Sequence, residues 1–98
     1  MIELRNKIAL VTGGSRGIGS AIARAFAAAG ANVVITYKSD KRAANALVKA
    51  IGELDVECLA LQTSVDQRKS VSKVIKTTLR KFGKIDILVN RIISKVSG

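Results

Sequence analysis

A chain of 98 residues makes one domain at most, with a thin core that buries roughly 60–65% of the surface its unfolded form exposes. Hydrophobic residues at 48% and charged residues at 24% fit a folded chain rather than a disordered one, and no apolar run approaches the roughly 18 residues of a spanning helix. The net charge of +10 raises nucleic acid or an anionic surface as partners, while a lone cysteine, Cys58, excludes an internal disulfide and fits a reducing, cytoplasmic setting.

Lys7 to Thr12 (KIALVT) is a short apolar run ending at glycines, which predicts a buried strand. Ile18 to Ala29 follows with Ile18, Ile22, Ala25, Phe26 and Ala29 at helical spacing, and Gly30 as a stop. Asn32 to Thr36 (NVVIT) is β-branched and strand-like. Ser39 or Asp40 can cap a helix that carries Ala43, Ala44, Leu47, Val48 and Ile51 and ends at Gly52. Val56 to Gln62 is a third strand, in which Cys58 reads as a small buried thiol.

Asp66 to Phe82 forms the longest predicted helix, with Val71, Val74, Ile75, Thr78 and Phe82 on one side. Lys69, Lys73, Lys76, Arg80 and Lys84 fall on the other side. Ile85 to Val89 (IDILV) is the fourth strand. Strict alternation of strand and helix, βαβαβαβ, implies an α/β fold with a parallel sheet joined by right-handed crossovers. The expected strand order is 3-2-1-4, half of a doubly wound Rossmann-type sheet.

The informative motif, Thr12-Gly13-Gly14-Ser15-Arg16-Gly17-Ile18-Gly19, lies between the first strand and the first helix. Gly13 permits the tight turn out of the strand, Gly17 clears space for a phosphate near the backbone, and Gly19 lets the helix pack closely on the strand. The unpaired amides and positive end of that helix suit a pyrophosphate. The spacing T-G-x-x-x-G-x-G is neither G-x-G-x-x-G nor a P-loop, which needs Lys where Ser20 stands. About 20 residues beyond the glycines, an NAD reader places an acid for the ribose hydroxyls. Here that position is Tyr37, followed by Lys38 and Ser39, and Arg16 projects from the glycine turn. Missing acid and present cations favour NADP(H) over NAD(H), because a 2′-phosphate wants Arg or Lys and a hydroxyl donor.

TGGSRGIG resembles the cofactor turn of the short-chain dehydrogenase/reductases, and KFGKIDILVN (Lys81 to Asn90) resembles the approach to that family's fourth strand. The branch it looks most like is the NADPH-dependent one that includes the beta-ketoacyl-acyl-carrier-protein reductases. The resemblance implies NADPH-dependent reduction of a ketone to an alcohol. It places Gly13, Ser15, Arg16, Gly17, Ile18 and Gly19 around the phosphates and Tyr37, Lys38 and Ser39 near the adenosine phosphate. It also places Ser64 and Val65 near adenine and Asn90 near the nicotinamide ribose. Ser64 stands where the family has Asp, so an uncharged acceptor replaces a charged one and weakens that contact.

After Asn90 the family pattern Asn-Asn-Ala-Gly gives way to Arg91, Ile92 and Ile93, so residues 1–90 read as a dinucleotide-binding half-domain and 91–98 as a tail outside the family. The family's catalytic Ser and Y-x-x-x-K lie beyond that point; Tyr37 and Lys41 match the spacing by accident and precede a helix instead of lying on it. No catalytic or metal-ligating residue is therefore expected here, and the chain is expected to be inactive alone. Its fourth strand, apolar and free of proline, is expected to be an edge through which copies self-associate, with helix faces as the other route. The alternative is a basic nucleic-acid-binding or self-associating module that keeps only the fold; but the lysine stripe has no interleaved aromatics for base stacking and reads as a solvated face.

Overall fold

The computed structural model describes residues 3–63 and 67–90. Its elements are β1 (Ile8–Val11), α1 (Gly17–Ala28), β2 (Asn32–Tyr37), α2 (Lys41–Gly52), β3 (Cys58–Gln62), α3 (Gln67–Phe82) and β4 (Ile87–Val89). All strand pairs are parallel, in the order β3-β2-β1-β4. This is the expected half of a doubly wound Rossmann-type sheet. Asp66 and the tail from Arg91 to Gly98 lie outside the described residues.

The strand period of two sorts the core into two layers. Val11, Val33 and Ile35 face α1 and α2, meeting Ala23, Ala27, Ala44, Leu47 and Ile51. Leu10 and Val34 face the other way and meet Val74 of α3, with Leu59 and Leu61 beside them. Both faces of β1 and β2 are thus covered, which is why their sequences are unbroken apolar runs rather than alternating ones. Cys58 sits half-buried in β3, where burial pushes its thiol up to about 11 and keeps it protonated at neutral pH.

Two helix faces differ from the sequence expectation. In α1 the buried stripe is Gly19, Ala23 and Ala27, with Ile22 and Phe26 at its margin. Ile18 and Ala25 are exposed, Ile18 at 66%. Small residues win the central stripe because the helix lies close to the sheet, and Ile18 is carried past the strand ends into the open. In α3 the buried line is Ser70, Val74 and Thr78, four residues apart. The Thr78 hydroxyl donates to the Val74 carbonyl at 2.7 Å, so a polar residue satisfies itself within the helix and enters the core. Lys73, Lys76, Arg80 and Lys84 are exposed, and the side chain of Lys69 lies outside the described residues.

Asp40, not Ser39, caps α2: its Oδ1 accepts the Ala43 amide at 3.0 Å. Asp86 ties β4 to β1 in both directions. Its amide donates to the Ile8 carbonyl at 2.9 Å, and its Oδ2 accepts the Ile8 amide at 2.8 Å and lies 3.3 Å from Lys84 Nζ. The Ile8 amide holds this carboxyl below the ordinary carboxylate range; partial burial opposes the shift, and the charges of Lys84 and Lys7 add to it.

Leu10 is fully buried between β2 and β4, so Leu10→Ala should cost about 3 kcal/mol in urea denaturation, the ordinary cost of a core cavity. A carboxyl whose pKa falls on folding stabilises the fold above its unfolded pKa and loses that effect as pH drops through its folded pKa. Asp86→Asn should therefore lower the urea midpoint at neutral pH, and the gap to the parent chain should close between about pH 5 and about pH 2. A gap that stays constant over that range would show that the charge on Asp86 is irrelevant to the β1–β4 seam.

Candidate functional site

The glycine turn is built against the carboxyl end of the sheet. Gly13 has φ 66° and Gly17 φ 58°, left-handed values that favour glycine. A Cβ on Gly19 would collide with the Gly13 carbonyl oxygen and lie 3.0 Å from Gly14 Cα. Gly19 thus lets α1 close onto the turn itself, a nearer neighbour than the strand expected from sequence. Around Gly17 a Cβ would meet nothing within 4 Å, so the space beside it is open, as an approaching phosphate requires. Gly14, which the motif reading leaves without a role, is buried. A side chain there would press on Ile35, with Cγ2 at 2.7 Å.

Strand ends hold this turn in place. The Thr12 amide donates to the Val89 carbonyl at 2.9 Å, and the Thr12 hydroxyl lies 3.1 Å from Asn90 Oδ1. The Gly13 amide donates to Thr36 Oγ1 at 2.8 Å and the Gly14 amide to the Thr36 carbonyl at 3.1 Å. On the other side of β2, the Thr63 amide donates to the Tyr37 carbonyl at 2.8 Å and Gln62 Nε2 to the Lys38 carbonyl at 2.9 Å.

A cleft of about 410 Å³ opens over these ends. Its walls come from three places: Thr12, Gly13, Ser15 and Arg16 of the turn; Thr36, Tyr37, Lys38, Ser39 and Asp40 at the end of β2; and Thr63 with Ser70, Val71 and Val74 towards α3. Two of the helices that start at this rim, α1 and α2, differ. Asp40 caps α2, whereas at α1 the residue in the cap position, Arg16, makes no side-chain cap and the first turn holds no acid. The first-turn amides of α1 therefore lack both an intrahelical acceptor and a neutralising carboxylate, the condition under which a helix start attracts an anion. With the exposed cations Arg16 and Lys38 on the same cleft, the residues present fit a nucleotide bearing several phosphates.

Of the residues singled out in the sequence, the cleft gathers Gly13, Ser15, Arg16, Tyr37, Lys38 and Ser39. Gly17, Ile18 and Gly19 shape or flank the turn without lining the cleft, and Asn90 reaches it through Thr12. Ser64 and Val65 lie outside the described residues. Sequence reasoning passes over Thr36, Asp40 and Thr63. Their place at or just past the carboxyl ends of parallel strands, where ligands of such sheets bind, is the signal that could have found them. Asp40 sets an acid on the wall where only cations were expected, but it spends one carboxylate oxygen on the start of α2. Among the described residues no group of three or more His, Cys, Asp or Glu could hold a metal, and no helix is long and apolar enough to cross a membrane.

Comparison with known proteins agrees with this geometry. The chain is 48% identical over 90 residues to the 3-oxoacyl-acyl-carrier-protein reductase of Synechocystis sp., covering 92% of this chain and 36% of that protein. Among solved structures, a short chain dehydrogenase from Burkholderia cenocepacia in complex with NADP superposes with a TM-score of 0.86 at 44% identity, over 90% of this chain and 36% of that one. A blue fluorescent protein from a metagenomic library in complex with NADPH superposes with a TM-score of 0.83 at 38% identity, over 88% and 36%. This chain thus spans about a third of the length of these relatives. The short chain dehydrogenase family model matches residues 7–92, and with this strand order and glycine turn the chain belongs to that family of oxidoreductases.

Proposed function

We propose that this chain binds NADP(H) and supplies the dinucleotide-binding part of a ketone-reducing oxidoreductase. The observation that carries the reading is the uncapped start of α1, set behind a left-handed glycine turn and facing a cleft that also holds Arg16 and Lys38. The NADP and NADPH complexes among its structural neighbours support the same ligand.

In this reading Ser15 and the amides at the start of α1 take the pyrophosphate, with Gly13 shaping the turn, Gly17 leaving room for the ligand and Ile18 and Gly19 supplying first-turn amides. Arg16 and Lys38, with the Ser39 hydroxyl, take the 2′-phosphate, and Tyr37 lies against the adenosine. The Asp40 carboxylate on the same wall gives one oxygen to the Ala43 amide at 3.0 Å. By resemblance, Ser64 and Val65 serve the adenine and Asn90 the nicotinamide ribose. The cofactor, when bound, supplies the hydride.

The protein residues that would donate a proton to the substrate are not offered by the described site. Tyr37 ends β2 and Lys41 begins α2, so this pair does not share a helix. We therefore propose that the 98-residue chain tested by itself binds cofactor without turning over substrate. We also propose that it self-associates. Among the described residues β4 is an edge strand, and Leu88 on it is 51% exposed. Two copies joined edge to edge by a two-fold axis would hide both. A nucleic-acid role is less favoured, since Lys73, Lys76 and Arg80 of α3 are exposed and do not line the cleft.

A fluorescence titration should give saturable NADPH binding that is tighter than NADH binding. Arg16→Ala or Lys38→Ala should each weaken NADPH about tenfold, the worth of one charge-assisted contact, and change NADH far less. Equal losses for both nucleotides would refute the 2′-phosphate assignment, and ketone reduction by the pure chain would refute inactivity. In sedimentation velocity across the micromolar range the parent chain should dimerise and Leu88→Lys should not; a parent chain that stays monomeric throughout rules out the edge contact.

A further inference from the structure

We infer that Thr36 is a positioning residue for the pyrophosphate site, the side chain that locks the glycine turn into its ligand-ready shape. The inference rests on the NADP(H) reading above. Thr36 is the next-to-last residue of β2 and is 3% exposed. Its hydroxyl oxygen accepts the Gly13 amide at 2.8 Å, and its carbonyl accepts the Gly14 amide at 3.1 Å. One residue therefore holds two successive amides of the turn.

Those two amides belong to the residues least able to hold themselves. Gly13 and Gly14 have no side chains to restrict them, and an unrestrained glycine pair samples many more backbone states than any other pair. A β-branched threonine is the opposite, stiff at χ1 and here fixed within a strand. Gly13 is also held from the far side, because its carbonyl oxygen lies against Gly19 where a Cβ would sit. The turn is thus clamped between β2 and α1. With Gly13 and Gly14 committed to Thr36, their amides are removed from the ligand. The amides left for an anion are those farther along, at the start of α1, whose direction the clamp sets.

Losing the clamp should affect the pyrophosphate end of a nucleotide far more than the 2′-phosphate end, where Lys38 acts from beyond the end of β2 and Arg16, although on the turn, acts through a long, exposed side chain rather than a fixed amide. The test compares Thr36→Val, which keeps the shape and loses the acceptor, with Thr36→Ser, which keeps the acceptor. Binding of NADP+ and of adenosine 2′-monophosphate, which has no pyrophosphate, is measured for each by calorimetry or NMR. Thr36→Val should weaken NADP+ about tenfold, the scale of one buried hydrogen bond, leave adenosine 2′-monophosphate within about twofold, and be rescued by Thr36→Ser.

Amide hydrogen exchange supplies a measurement on the unmutated chain. The Gly13 amide should be protected before any nucleotide is added. Exchange as fast as in an exposed loop would overturn the clamp, even if Thr36→Val failed to fold. Unchanged NADP+ affinity in Thr36→Val, or equal loss of both ligands, would also overturn it while leaving cofactor binding intact. If the parent chain binds no NADP+ at all, the cofactor reading fails first and this inference falls with it, a result recognisable because no variant is needed to see it.

Discussion

Parallel pairing of β1 with β2 on one side and β4 on the other brings three carboxyl strand ends to one line. Val11 stands in register with Ile35 and with Val89, so Thr12, Thr36 and Asn90 emerge side by side. Everything at the site hangs from this line. The glycine turn leaves β1 there, is gripped by Thr36 from β2, and is tied through Thr12 to Val89 and Asn90. A one-residue slip in either pairing would send alternate residues to the wrong face and pull Thr36 away from Gly13. The two-layer core prevents that slip, because Val11, Val33 and Ile35 must face α1 and α2 while Leu10 and Val34 face α3.

Small residues translate that constraint into a site. Gly14 rests on Ile35 and Gly19 on the Gly13 carbonyl, so α1 begins almost in contact with the turn that precedes it. The Ala23 and Ala27 stripe continues the same close approach along the sheet. The start of α1 is thereby placed over the strand ends with its amides unclaimed, while the neighbouring helix α2 has its own start satisfied by Asp40. Of these two helix starts, the first has no side-chain cap and the second has one. The amides at the start of α1 are thus open to an anion, and the cations Arg16 and Lys38 lie along the same cleft.

The β4 seam shows a different balance. Its strand is three residues long, and Leu88 stands half in solvent on the face that Leu10 buries one strand over. What secures it is polar: the two-way exchange between Asp86 and Ile8, with Lys84 alongside. Apolar burial dominates the middle of the sheet, and hydrogen bonds with a charged acceptor secure its margin. Acid should loosen that margin before it touches the core.

Much of this was legible in the residues alone. Apolar runs of strand length, helical spacing between them and glycine punctuation determine the βαβαβαβ order, and the spacing of Gly13, Gly17 and Gly19 marks the turn, because backbone conformation is a local property that glycine reports directly. The exposed cations and the missing acid at Tyr37 were equally plain. Tertiary structure alone decided which face of each helix is buried: periodicity allowed Ile18 and Ala25 inside, and close packing chose Gly19, Ala23 and Ala27 instead. It also decided the roles of Gly14, Thr36 and Asp86, since a residue's partner across 23 or 78 positions depends on strand register, and register follows from how two core layers fill at once rather than from any neighbouring residue.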